Sequence, residues 1–375
     1  MHRPSDPLLS DKTLTQQERL DWLRLARTER VGPVTFAGLI ARFGGAGAAL
    51  EALPAMARQG GGKNFALPAI GTIAAEMDTL AGLGGHLLCS CEAGFPRGLA
   101  ALDAPPPVIS VLGHPHLLQK EMVAIVGARN ASALGRRFTA TLARDLGFAG
   151  LVVASGLARG IDTAAHEAAL AVGTVAVVAG GVDVVYPPEN ESLYAAIREQ
   201  GVILSEMPPG ENPQARHFPR RNRLISGLAR GVVVVEAAAR SGSLITASCA
   251  LEQGREIFAV PGSPLDPRAK GPNGLIRDGA TLTESAADVL AVLSPMLGGA
   301  FREPGPDPVP GPAIPAAGIE HIRAAIEEAL GPAPIGIDDL IRMVGAPAGV
   351  VATVLLELEL AGACARLPGN RVAWS

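Results

Sequence analysis

The segment Phe218-Pro219-Arg220-Arg221-Asn222-Arg223 gathers side chains that can grip an anion and stack on a ring. Guanidinium forks match phosphate oxygens, and an aromatic face beside them can stack on an unpaired base. An arginine-rich surface helix would read the same way in isolation, so the neighbouring residues decide. Residues 207–230 hold five arginines (Arg216, Arg220, Arg221, Arg223 and Arg230) against one acid, Glu211, in a chain whose net charge is −4. Such clustering describes a local basic pocket, not a protein coated in positive charge.

Further candidates follow short apolar runs. Gly127-Ala128-Arg129-Asn130-Ala131-Ser132 comes after the first run, and Ser155-Gly156-Leu157-Ala158-Arg159-Gly160-Ile161-Asp162 after the second. Gly180-Gly181-Val182-Asp183 and then Tyr186-Pro187-Pro188-Glu189-Asn190 come after the third, and Glu236 and Ser241-Gly242-Ser243-Leu244-Ile245-Thr246-Ala247 after the fifth. Small residues let main-chain N–H groups approach an anion, and a helix N-terminus adds a favourable dipole. Ser241-Gly242-Ser243 suits a phosphate cradle, and Arg129 and Arg159 can converge on the same crevice. Turn chemistry accounts for any one loop alone, with glycine where φ is positive and Asp162 as the N-cap of a helix from Thr163. Several such loops at one sheet edge point to a shared anion site.

Other chemistries lack their residues. Gly127 opens no G-x-G-x-x-G, no G-x-x-x-x-G-K-[ST] occurs, and Ser155 lies in no G-x-S-x-G, so dinucleotide cofactors, P-loop ATPase chemistry and a serine elbow are not expected. Asp162 and His166 at i, i+4 make half a metal site without further ligands, and Cys89-Ser90-Cys91 has no matching cluster, so neither metal nor cofactor is expected.

The runs Val123–Val126, Leu151–Ala154, Thr174–Ala179, Val202–Leu204, Val232–Val235 and Ile257–Val260 are short, apolar and β-branched, as in strands buried on both faces. Helical stretches separate them: Arg136–Leu146, Thr163–Val172, Ser192–Glu199 and Leu244–Gln253. The alternation predicts an α/β fold, an extended Rossmann-like, doubly wound and mostly parallel sheet, with its ligand site beyond the strand carboxyl ends. Residues 87–120 are expected to add an edge element. Before this core, Asp21–Arg30 and Phe36–Phe43 read as helices broken at Val31-Gly32-Pro33, which resembles a SAM-like or helix-hairpin-helix module.

Beyond the core, Glu303 to Gly318 reads as a Pro-rich linker. With no periodic apolar face, the linker is expected to be crossed by few contacts. Helices Ile319–Leu330, Ile337–Val344 and Pro347–Leu360, then strands Ala363–Leu367 and Arg371–Trp374, spell a winged helix. Residues 318–375 carry four arginines against seven acids, and the third helix holds Glu357 and Glu359 but no base. Phosphate contact needs positive charge, so this module is expected to bind a protein or a partner subunit. The expected domains are 1–85, 86–300 and 318–375, with 301–317 as linker. A length of 375 residues suits two or three domains. No apolar run reaches the ~18 residues of a membrane span. Met1 to Ser10 is unlike a signal peptide, and four cysteines suit a reducing compartment. Cytoplasmic localisation follows.

Eight motifs now stand in order: Val126-Gly127-Ala128-Arg129; Ser155–Asp162 with His166; Tyr186-Pro187 with Asn190; Leu204-Ser205-Glu206; Phe218–Arg223; Ser241–Ala247; Val260-Pro261-Gly262; and Gly271-x-Asn273-x-Leu275-Ile276-x-x-Gly279-Ala280. Over about residues 90–285 the chain resembles the DNA-processing protein A (DprA, or Smf) family. The resemblance implies a cytosolic homodimer on an extended Rossmann fold, with no established catalytic activity. Such a protein binds single-stranded DNA and helps load the RecA recombinase onto it, in natural transformation, competence and DNA recombination. It also implies that Arg129 contacts DNA and that Arg216 and Phe218 supply the basic residue and the stacking aromatic. Arg159 and Arg216 stand where relatives often carry lysine.

The DNA-binding set expected overall is Gly127, Arg129, Ser155, Gly156, Arg159, Arg216, Phe218, Arg220, Arg221, Asn222, Arg223, Ser241, Gly242 and Ser243. The alternative is a nucleotide-binding or nucleotide-hydrolysing enzyme. The parallel sheet and Gly-rich loops resemble nucleoside-monophosphate hydrolases of the lysine-decarboxylase-like group. Their P-G-G-x-G-T-x-x-E loop is replaced here by Ser241-Gly242-Ser243-Leu244-Ile245-Thr246, with Glu252 further on.

Overall fold

The structure, a computed structural model, describes residues 13–59, 66–297, 316–331, 333–367 and 370–374. Most of the expected linker lies outside the described residues. The described residues fall into two compact units, one drawn from 74–303 and the other from 14–73 together with 304–375.

The first unit is built on a nine-stranded sheet. Its strands are β1 (His86–Cys89), β2 (Val108–Gly113), β3 (Met122–Val126), β4 (Val152–Ser155), β5 (Thr174–Val177), β6 (Val202–Ser205), β7 (Gly231–Val234), β8 (Glu256–Ala259) and β9 (Thr281–Leu282), in the order β1-β2-β6-β5-β4-β3-β7-β8-β9. From β6 to β9 all pairings are parallel, while β1 and β2 add the expected edge as antiparallel strands. The unbroken apolar runs are explained by burial on both faces. Met122, Ala124 and Val126 of β3 enter one core, and Val123 and Ile125 enter the other. Each such fully buried aliphatic side chain contributes about 1.5–3 kcal/mol.

The crossover helices are α6 (Ala133–Phe148), α7 (Ile161–Ala169), α8 (Glu191–Gln200), α9 (His217–Leu228) and α10 (Gly242–Glu252), preceded by α4 (Ile70–Gly82) and α5 (Arg97–Ala100) and followed by α11 (Lys270–Arg277) and α12 (Ala286–Leu297). The chain runs from β3 outward through β4, β5 and β6, then returns to lay β7 on the other side of β3. The sheet therefore reverses direction between β3 and β7. Connections leaving those two strands diverge, and a crevice opens at their carboxyl ends.

The second unit joins the two ends of the chain. Its N-terminal helices are α1 (Gln16–Ala26), α2 (Pro33–Phe43) and α3 (Ala46–Gln59). Thr15 and Glu18 form a reciprocal capping box on α1, and Trp22 meets Phe36 edge-on at 5.0 Å between ring centroids. The winged helix has α13 (Ala316–Ala329), β10 (Ile335–Gly336), α14 (Ile337–Val344), α15 (Ala348–Ala361), β11 (Cys364–Leu367) and β12 (Arg371–Trp374). Contrary to expectation, it is not isolated from the rest of the chain: Thr35 of α2 donates to Glu359 of α15 at 2.7 Å. A sequence window carries no sign of a pairing more than 300 residues apart. Among the described residues, no single helix is long and apolar enough to cross a membrane.

Candidate nucleic-acid interface

Two adjoining cavities lie along the carboxyl edge of the sheet. The broader, of about 720 Å³, sits where the sheet reverses and is lined by Gly127, Arg129 and Asn130 after β3 and by Arg240, Ser241, Gly242 and Ser243 after β7. The smaller, of about 260 Å³, is lined by Gly156, Ala158 and Arg159 after β4, by Gly180 after β5, and by Tyr186 beyond it. Arg129, Ala158, Phe218 and Arg221 line both.

The helical phase of α9 makes that sharing possible. Arg221, Leu224, Ile225 and Leu228 recur at i, i+3, i+4 and i+7 and are all buried. This face carries Arg221 beneath the crevice while Phe218, one turn earlier, stands half-buried at its floor. The Phe218 ring meets Tyr186 edge-on at 5.9 Å. The guanidinium carbons of Arg129 and Arg221 lie 5.4 and 5.8 Å from its centroid. Both fall within cation–π range.

Arg221 is 8% exposed and faces the buried carboxylate of Asp162. Burial lowers the Arg221 pKa and raises that of Asp162, while each charge pulls the other back towards its ionised form. Asp162 also accepts from the main-chain N–H groups of Gly156 at 3.2 Å and Ala158 at 3.3 Å. It is not the N-cap expected from the sequence. Helix α7 begins one residue earlier, at Ile161, and Asp162 in its first turn instead holds the loop that follows β4.

That loop is fitted closely around its neighbours. A Cβ on Gly156 would lie 1.4 Å from Nη1 of Arg221. Gly160 has φ of 82° and packs against the carbonyl of Ala128, which also accepts from the Ile161 N–H at 3.2 Å, so the loops after β3 and β4 are tied together. Leu157 sits at φ 54°, and its carbonyl accepts from Asn190 at 2.9 Å. The loop after β3 is clasped from the other side. Glu236, at the end of β7, accepts from the Ser132 N–H at 2.9 Å and from its hydroxyl at 2.6 Å.

At the head of α10, the Ser241 hydroxyl accepts from the Ser243 N–H at 3.3 Å and lies 2.6 Å from the Ser243 hydroxyl. Asn222 of α9 donates to the Gly242 carbonyl at 3.2 Å. The N-terminal N–H groups of α10 and the cavity arginines thus face one space, suited to an anion.

The structure does not bring every expected residue to the crevice. Gly127, Arg129, Gly156, Arg159, Phe218, Arg221, Asn222, Ser241, Gly242 and Ser243 line one or both cavities. Ser155 is buried and donates to the Ile125 carbonyl at 2.6 Å. Arg216, just before α9, and Arg220 on it are exposed but line neither cavity. Arg223 lines neither; it donates to the Ala104 carbonyl at 3.1 Å and pairs with Glu206. Arg159 pairs with Glu189 at 3.3 Å where both are exposed. Among the liners outside the expected set, Tyr186 brings a second ring and Arg240 and Arg268 bring charge. For Tyr186 the signal was present, since Tyr186-Pro187 stands in a strand-end loop.

His166, on the same helix as Asp162, lines neither cavity. His166 is buried and bonded to the Thr174 hydroxyl at 2.7 Å, and burial lowers its pKa to about 3. No cluster of three potential metal ligands occurs among the described residues. Glu252 closes the far end of α10, and a helix of 11 residues places it ~15 Å from the Ser241 end. The arrangement can hold phosphate and a flat ring.

Comparison with known proteins identifies the modules of the chain. The family model described as DNA recombination-mediator protein A matches residues 86–294, the DprA-like N-terminal HHH domain matches 16–79 and the DprA winged helix domain matches 310–370. Protein Smf of Escherichia coli (strain K12) is 40% identical over 297 residues, 76% of this chain and 77% of that protein. The X-ray structure of DNA processing protein A from Streptococcus pneumoniae aligns with a TM-score of 0.60 and 33% identity, covering 75% of this chain and 98% of that one. DNA processing protein A of Helicobacter pylori, solved for its single-stranded DNA binding mode, aligns with a TM-score of 0.52 and 29% identity over 56% of this chain and 96% of that one. Three matched modules in the same order along the chain leave one conclusion: this chain belongs to the DNA recombination-mediator protein A family.

Proposed function

We propose that this chain binds single-stranded DNA in the crevice where the sheet reverses, through Arg129, Arg221 and the head of α10 on phosphate and Phe218 on a base. The observation that carries the reading is the placement of Phe218 between both cavities, with Arg129 at cation–π distance. Unpaired strands are recognised by this combination of positive groove and stacking ring, with little dependence on sequence. The single-stranded DNA bound by the Helicobacter pylori relative supports it. Gly127, Gly156, Arg159, Asn222, Ser241, Gly242 and Ser243 complete the binding set, and Tyr186, Arg240 and Arg268 join it. Arg216 and Arg220 remain in it as exposed charges beside the crevice. Ser155 and Arg223 act through the scaffold.

The chain then serves as a recombination mediator that loads the RecA recombinase onto incoming single strands in natural transformation, working in the cytoplasm as a homodimer. Its domains run 1–85, 86–300 and 318–375, with 301–317 as linker. The exposed Leu282 of the terminal strand β9, and the exposed Leu265 next to Pro264 of the cavity that Leu282 lines, suit a self-association surface. It carries out no bond-making chemistry of its own, which fits the distance of Glu252 from the crevice.

The test is a gel-shift on single- and double-stranded DNA, with and without purified recombinase. Tighter binding to the single strand and faster recombinase assembly are expected. Equal or tighter binding to duplex across a salt titration overturns the reading.

A further inference from the structure

Helix α15 occupies the position from which such domains read a DNA groove, yet apart from Thr353, Glu357 and Glu359 it is built of apolar residues and carries no basic side chain. Val351, Val354, Leu355 and Leu358 enter the core of the winged helix itself. Leu356 and Leu360 are as deeply buried, at 4% and 0% exposed, but lie outside that core. Leucines buried outside that core need a second cover, and the N-terminal helices provide it at Leu356. The Leu356 Cδ2 lies 3.9 Å from where a Cβ on Gly38 of α2 would stand.

Polar groups fix the contact. Besides the bond from Thr35 to Glu359, Arg42 of α2 approaches Glu357 at 3.8 Å, and Arg30 donates to the Leu360 carbonyl at 3.4 Å. Both acids also hold partners inside the winged helix: Glu357 pairs with Arg323 and Glu359 with Arg366, the latter at 3.5 Å. Each carboxylate thus bridges two modules encoded at opposite ends of the chain. One ion pair, Arg42 to Glu357, and two hydrogen bonds, from Thr35 and Arg30, therefore cross the contact, so polar groups as well as shape select this occupant.

We propose that α15 is a docking helix for the chain's own N-terminal helices, and that the winged helix clamps them instead of reading nucleic acid. The inference does not rest on the crevice or on what binds there. A groove-reading helix needs a free, positively charged face, whereas this one presents two carboxylates into a contact already made.

A protease site placed within residues 304–315 of the full chain tests it. After cleavage, the winged-helix fragment is expected to stay with the remainder through size-exclusion chromatography at micromolar concentration. Leu356→Asp, which spares the winged-helix core, is expected to weaken that retention at least tenfold. Release of the fragment from the cleaved wild-type protein overturns the proposal. Docking between copies is tested by mixing uncleaved Gly38→Trp and Leu356→Asp chains. If the mixture regains wild-type resistance to trypsin, the contact forms between copies, and its assignment within one chain is overturned.

Discussion

The guanidinium of Arg129 lies over the ring of Phe218, 5.4 Å from its centroid, although 89 residues separate them in sequence. Charge for a phosphate and a platform for a base are therefore one physical assembly, and neither can be altered alone. Residues in contact couple by ~0.5–3 kcal/mol. A double-mutant cycle on single-stranded DNA binding with Arg129→Ala and Phe218→Ala is expected to fall short of additivity. Strictly additive losses would place the two residues in independent contacts.

Phe218→Ala alone is expected to weaken binding by roughly five- to 150-fold, the equivalent of ~1–3 kcal/mol for one stacked base. Phe218→Tyr and Phe218→Trp keep a π-face and should bind nearly as the wild type does. The ring is half-buried against Tyr186, so unfolding in urea must be measured alongside. A stability loss of ~3–5 kcal/mol, typical of a core phenylalanine, would assign Phe218 to packing.

Arg129→Ala is expected to remove one phosphate contact and to lower the salt slope of single-strand binding by about 0.7. Its circular dichroism should match that of the wild type. Unchanged slope and affinity would take Arg129 out of the interface.

Asp162→Ala leaves the Arg221 charge buried without its carboxylate and is expected to cost about 3–5 kcal/mol of unfolding free energy. Arg221→Met in the same chain should return much of that loss while DNA binding stays impaired. Recovery of binding along with stability would show that Arg221 only holds the loop.

Acid should destabilise the crevice unit through His166. Its folded pKa of about 3 lies below the ordinary 6.5, so between those values the unfolded chain binds a proton that the folded chain refuses. Stability is fully present above pH ~6.5 and falls as pH drops towards 3. At pH 5 the loss is ~2 kcal/mol, from ~1.4 kcal/mol per pH unit. His166→Gln should flatten the urea midpoint between pH 7.5 and 5, and an unaltered pH dependence would assign the acid sensitivity elsewhere.

The sheet and its loop edge were legible because burial on two faces leaves an unbroken apolar run, and a parallel sheet must present the carboxyl ends of its strands together. The orientation of individual arginines was not. Arg220, Arg221 and Arg223 look alike in sequence, but helical phase buries Arg221 with Leu224 and Leu228 and turns Arg223 towards Glu206. Several motifs quoted as site signals build the scaffold instead. The Asn273 amide pairs with both main-chain groups of Gly262, at 2.8 and 3.1 Å, and Asn190 props up Leu157. The seat of α15 was hidden for a different reason. Glu357 and Glu359 argued against a phosphate contact, but nothing in the sequence could say which helices would meet them.

Because α2 and α15 complete one another from opposite ends of the chain, synthesis imposes a delay on the terminal unit. The N-terminal helices leave the ribosome first, and at about 5–20 residues per second the last helix follows them by tens of seconds. All of β1 to β9 emerges in that interval. The surface of α2 around Gly38 must therefore stay wet, or be shielded by a chaperone, until α15 has been made. Nascent chains stalled before residue 348 are expected to be the most aggregation-prone intermediates of this protein, because the crevice unit is already complete while its N-terminal neighbour still waits for its other half.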